Sequence, residues 1–291
     1  MDARGKPLAA PARVIALVRM GAVVCAAFFT VVPASGQWLK YPSAIPRLPD
    51  GKPDLSAKAP RGADGKPDLS GIWTRSALAP GWDLKALRES GVFTDQNLTY
   101  HMPPGASIPF QPWAEALFRE RQARNGAGAP SERCLPTGVP EATLEPPPFK
   151  IAQMNGLTII LFEAFNRYRQ IHTDDRPAPV DPNPSWWGYS IGKWENDTFV
   201  VDTTGFNDLT WLDKAGHPHS DALHTTERFR RLDVGRMELQ VTIDDPKAYT
   251  RAWTATIPFR LLPDTELLED ACENERDAKR IESIASHEKG K

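Results

Sequence analysis

The clearest pattern in the chain is strict alternation. In RMELQVTID, Met237, Leu239, Val241 and Ile243 alternate with Glu238, Gln240, Thr242 and Asp244. RAWTATIPFRLL repeats the period with Trp253, Ala255, Ile257, Phe259 and Leu261 on one face. Side chains of a strand point to opposite faces in turn, so each segment predicts a strand with one buried side. The same reading extends to FKIAQM, LTIILFEAFNRYRQIH, YSIGKWE, TFVVDTTGF, HTTERFRRL and ELLEDAC, which makes eight strands after Phe149. Turn signals separate them at Asn155-Gly156, Glu195-Asn196-Asp197, Asp233-Val234-Gly235 and Asp244-Asp245-Pro246. No helical period intervenes. The expectation is a mainly β fold, an eight-stranded antiparallel meander that protects its edges by closing as a lipocalin-like barrel or curling into a sandwich.

Before Phe149 the period-2 pattern is scarce and proline is dense. PWAEALFRERQARNG predicts one helix, with Pro112 at a first helical position, Trp113, Ala116, Leu117 and Glu120 at helical spacing, and Gly126 as a stop. The phrase DGKPDLS occurs at 50–56 and again at 64–70, too short and too few for a solenoid. The second copy leads into GIW (71–73), read as the start of a strand. The expected organisation is a signal peptide over 1–36, a disordered linker over 37–63, and a Pro-rich arm with first strand and helix over 64–148. An antiparallel β-barrel over 149–277 and a charged tail over 278–291 complete it.

Charge and composition narrow the partners. Lys plus Arg number 35 against 37 Asp plus Glu, with no long run of one sign, so the basic footprint of a nucleic-acid binder is missing. Arg4, Lys6, Arg13 and Arg19 precede the apolar stretch MGAVVCAAFFTVVPASGQ, the layout of a secretory signal. A membrane span would need about 20 apolar residues, so the mature chain is expected in the periplasm or secreted, not membrane-spanning. Signal removal leaves Cys134 and Cys272. In an oxidising compartment they either pair, closing a loop worth on the order of 4 kcal/mol in the chain-entropy model, or stay as two separate buried thiols.

The phrases DGKPDLSGIW (64–73), SIGKWENDTFVVDTTGFND (190–208) and WLDKAGHPHSDALHTTERFRR (211–231) resemble a family of exported, largely uncharacterised bacterial proteins. The similarity spans about residues 45–277. It implies export rather than any particular activity, and the contexts RCLPTGVP and EDACEN add weight to a Cys134–Cys272 bridge. Gly71-Ile72-Trp73 and Gly192-Lys193-Trp194 also resemble the Gly-x-Trp of calycins, where the tryptophan plugs one barrel end.

Two groups of residues could carry chemistry. In GHPHSDALH, His217, His219 and His224 fall within eight residues. A His-x-His pair on an extended segment shares a face, so these three could hold zinc or another transition metal, with Asp213, Asp221 or Glu227 as carboxylate ligand or base. The spacing is similar to the opening of a cupin motif, but the Glu expected next is replaced by Leu223 or His224, and the Gly expected upstream is Trp211. The plain alternative is a polar loop between strands. His172, near Asp174 and Asp175, is a further acid/base candidate. The second group is aromatic: Trp186, Trp187, Tyr189, Trp194, Phe206 and Trp211 lie within 26 residues. Trp187, Tyr189, Trp211 and Tyr168 could line a pocket for a small apolar ligand, or simply fill the core. Motifs of serine hydrolases, P-loops and dinucleotide binding are absent. The first expectation is therefore a small-molecule-binding barrel with an aromatic pocket. A metal-dependent enzyme built on the His cluster is the second, and a protein acting by contact with an envelope partner the third.

Overall fold

A computed structural model describes residues 43–76, 96–124 and 126–272. The segment expected as a signal peptide and the expected charged tail lie outside them. Nine strands close into one barrel: β1 (Gly71–Arg75), β2 (Phe149–Met154), β3 (Leu157–Phe162), β4 (Arg167–His172), β5 (Tyr189–Glu195), β6 (Thr198–Thr204), β7 (His224–Arg231), β8 (Arg236–Asp244) and β9 (Trp253–Leu261). Helix α1 (Pro112–Ala123) starts at Pro112 as predicted, and the Gly126 N–H closes its last turn on the Arg121 carbonyl. A single turn of helix, α2, covers Glu141–Leu144. Among the described residues no helix is long and apolar enough to cross a membrane.

The sheet corrects the expected eight-stranded antiparallel meander in three places. First, LTIILFEAFNRYRQIH is two strands, because Phe165 and Asn166 take φ values of 60° and 51° and fold the chain back between β3 and β4. Asn tolerates this left-handed region, and its N–H bonds the Glu163 carbonyl. Second, ELLEDAC is not a strand. Trp73 of β1 pairs with both Phe149 and Leu261, so β1 already occupies the edge of β9 that an additional strand would need. Third, β5 joins β4 in parallel, at Ile171↔Ser190 and His172↔Ile191 alone. The connection 173–188 carries Pro177, Pro179, Pro182 and Pro184, too long and too stiff for a tight hairpin.

Alternation sets the core. Met237, Leu239, Val241 and Ile243 of β8, and Trp253, Ala255, Ile257, Phe259 and Leu261 of β9, are all buried as the period predicted. Trp73 is fully buried at one end, with the Arg231 guanidinium 4.9 Å above its ring. Trp194 of the second Gly-x-Trp is half-buried and packs on Phe199 at 5.2 Å. The closed barrel is consistent with the calycin-like architecture.

The two DGKPDLS copies belong to a longer structural repeat. Positions 46–56 and 60–70 both read Pro-Arg-x-x-Asp-Gly-Lys-Pro-Asp-Leu-Ser. In each, the first Asp accepts the Lys N–H, the second accepts the Ser N–H, and the Arg donates to the Gly carbonyl. The arginines then pair with different parts of the barrel, Arg47 with Asp264 and Arg61 with Asp197. Thus 43–63, expected as disordered linker, is laid on the barrel. Its own side chains satisfy the turns, and its Leu55 and Ala57 carbonyls accept the Gly235 and Val234 N–H groups.

Cys134 and Cys272 form a disulfide with an S–S length of 2.04 Å. It anchors the segment after β9 to the arm of residues 96–124 and 126–144, which reaches the end of the barrel where β9 begins through the Gln111 N–H on the Ala248 carbonyl and the Thr250 N–H on the Pro109 carbonyl.

Candidate functional site: a notch in the barrel wall

Because β4 and β5 pair at only two positions, they part toward the capped end. The first residues of β4 and of β5 therefore face each other across a cleft of about 450 Å³. Tyr168, Trp187 and Tyr189 line it together with Arg167, Arg169, Gln170, His172 and Ser190. Tyr168 points outward by strand alternation and is 59% exposed. Trp187 is held by stacking on Phe162, with ring centroids 5.3 Å apart, and Tyr189 stacks on His172 at 5.0 Å. Between them the backbone turns at Gly188, where φ is 63° and a Cβ would lie 2.7 Å from both Thr203 Cγ2 and Thr204 O. No larger residue fits.

Arg169 faces inward from β4 and forms the inner wall. Its guanidinium and Glu227 of β7 make a bidentate pair, Nη1 to Oε1 at 3.0 Å and Nη2 to Oε2 at 2.5 Å, with both side chains almost wholly buried. Nε and Nη2 also donate to Ser190 Oγ at 3.2 and 3.1 Å, and Nη2 to Thr203 Oγ1 at 2.9 Å. Each guanidinium nitrogen has a partner, as a buried charge requires. Glu227, singled out in the sequence as a base, is instead the counter-ion of Arg169. The sequence reading missed Arg169. The available signal was phase: Arg169 falls in register with the buried Ile160, and Glu227 with Val201 and Val241, so both are charged residues on inward positions.

His172 sits at the edge of the cleft. Partial burial, and then the positive charge of Arg176, hold its pKa below the usual histidine value, while Asp174 opposes them. Asp174 itself is pulled down to about 2 by its hydrogen bonds with Arg176.

The remaining sequence-derived candidates lie elsewhere. Trp211 does not line the cleft: it is 5% exposed beneath Arg121, whose guanidinium is 4.3 Å from its ring and whose pKa burial lowers to about 10. Asp221 is a surface partner of Lys247 at 2.6 Å. The three histidines occupy three different surroundings. His217 Nδ1 is 2.6 Å from Asp213 Oδ2, and the ring stacks on Phe118. His219 uses both nitrogens, toward Thr210 Oγ1 and the Ser220 carbonyl, and burial lowers its pKa. His224 is half-exposed, 3.3 Å from Asp202. Among the described residues no three His, Cys, Asp or Glu side chains are grouped as an ion's ligands. Alternation would let His217 and His219 share a face, but Pro218 and the Asp213 turn send each ring to its own partner.

Fold and cleft together define a closed, mixed β-barrel with an aromatic notch in its wall and a buried Arg–Glu pair behind it. Compared with known protein families, curated proteins and solved structures, the chain finds no match in any of the three.

Proposed function

We propose that the protein is exported and holds a small, largely apolar molecule in the notch between β4 and β5. The observation that carries this reading is the grouping of Tyr168, Trp187 and Tyr189 around an open cleft of about 450 Å³ in an otherwise closed wall. Ligand sites commonly combine apolar faces with a few placed polar groups, and here Gln170, Arg167 and Ser190 supply the latter. Export is supported by the Cys134–Cys272 disulfide, which persists in oxidising compartments, and by the basic-then-apolar N-terminus.

The test is a fluorescence titration with a neutral apolar dye such as N-phenyl-1-naphthylamine. Saturable quenching of tryptophan emission is expected in the parent, lost in Trp187→Ala and kept in Trp211→Ala, with folding of each variant checked by its melting curve. Unchanged dye binding in a folded Trp187→Ala protein would remove the notch as the site.

A further inference from the structure

We propose that the ligand of the notch carries one anionic group and that Arg167 anchors it, so that the site takes an aromatic carboxylate or sulfonate in preference to a neutral ring. This deepens the reading of the notch as a small-molecule site and rests on it. The charges around the cleft are the first observation. Among the described residues, its lining holds Arg167, Arg169 and His172 but no Asp or Glu. Arg169 is already neutralised by Glu227, with each of its nitrogens bonded. The pKa of His172 is held below the usual value, which leaves the ring uncharged at neutral pH. Asp174 and Arg176, just beyond it, pair with each other. One unbalanced positive charge is left in the cleft, that of Arg167.

The place of Arg167 suits an anchor. It opens β4 in register with Phe162 of β3, and Phe162 carries the stacked Trp187 of the cleft. Its Nη2 donates to the Cys134 carbonyl at 2.7 Å, a neutral partner that holds the side chain without cancelling its charge. Asp270, on the segment that the disulfide brings to this edge, gives its carboxylate to the Phe165 N–H at 3.1 Å. Among the described residues no carboxylate pairs with Arg167. A guanidinium presents its donors as a planar fork that matches the oxygens of a carboxylate or sulfonate, and half-burial strengthens such a pair relative to open water. On the outer face Tyr168 and Leu161 stand opposite each other across β4 and β3, 59% and 37% exposed, and extend the apolar wall. The cleft thus sets one positive charge beside aromatic faces, the complement of an arene that bears one acidic group.

Fluorescence titration of the full mature chain with 8-anilinonaphthalene-1-sulfonate and with N-phenyl-1-naphthylamine tests this, because the dyes share one ring system and differ in the sulfonate. The sulfonate dye should bind at least about tenfold more tightly, the worth of a charge-assisted hydrogen bond, and should displace the neutral dye one for one. Arg167→Gln should bring the affinities to within about twofold of each other, while Arg167→Lys keeps part of the preference. Trp187→Ala tells the two readings apart. If it abolishes binding of the neutral dye while the parent shows no preference for the sulfonate, the notch stands as a ligand site and the anionic group falls. If neither dye responds to it, both readings fall. Equal affinities in the parent would overturn the proposal whether or not a variant folds, and so would a preference that survives unchanged in a folded Arg167→Gln protein.

Discussion

The two ends of the barrel use the same materials to opposite effect. At the plugged end Arg231 lies over Trp73 and gives its donors to main-chain carbonyls, Asp68, Ser70, Asp233 and Val234. Burial lowers its pKa, and no side-chain carboxylate meets it in a hydrogen bond. The result is a seal. At the capped end Arg169 meets a carboxylate, Asp213 meets a histidine, and polar atoms are left over on His217, Thr225, Trp253 and Glu141. At the first end the Arg231 donors are satisfied by the backbone, whereas the second combines fixed side-chain pairs with unmatched groups. The notch falls on that side.

Several changes break or sharpen this contrast. Glu227→Leu should cost about 3–5 kcal/mol in urea unfolding, because it strands the Arg169 charge in the interior. The double variant Arg169→Met/Glu227→Leu should recover most of it, and a double variant no better than the single would show that the pair does more than balance charge. At the sealed end Trp73→Ala should cost a similar 3–5 kcal/mol through the cavity it leaves, but no partner change should rescue it. Next, Cys134→Ser/Cys272→Ser should lose about 2–4 kcal/mol, read as a lower urea midpoint, since the bridge spans 138 residues of the unfolded chain.

Glu141 separates the ends by pH. Burial, and then the nearby Glu145 charge, hold its carboxyl well above the usual value of 4.5, so the folded chain keeps a proton that the unfolded chain releases. Stability from this group is full below about pH 4.5 and falls as pH rises toward the folded value. Glu141→Gln removes that slope, and its melting temperature should gain on the parent's between pH 4.5 and 8. Parallel curves would sink the assignment. The smallest effect should come from Arg61→Ala, which breaks an exposed pair with Asp197. Its melting shift should vanish in 0.5 M salt, where such pairs are screened.

The strands of the second half were legible because each buries one face, and β8 and β9 show it without interruption. The long run LTIILFEAFNRYRQIH was not separable into two strands from its pattern. Its break depends on Phe165 and Asn166 entering a left-handed conformation that any apolar-polar template overlooks. Of the aromatic candidates, Tyr168, Trp187 and Tyr189 come together at the notch and Trp211 does not, a distinction that follows from β4 and β5 pairing in parallel over just two positions. Arg169 escaped notice since a lone inward arginine is meaningless until its partner, 58 residues away, stands opposite.

What the sequence by itself determined is local: the alternating strands, the helix that starts at Pro112, the Asn-Gly and Asp-Gly turns, and the repeated Asp-capped loops. All of these depend on contacts within a few residues, which spacing encodes directly. Only the tertiary structure decided that β1 closes the ring with β9, that β5 enters in parallel, which histidines share a face with anything, and where charges meet in the interior. Those outcomes depend on pairings between distant segments, and the free energy that selects them comes from burying whole faces together rather than from the preference of any one stretch.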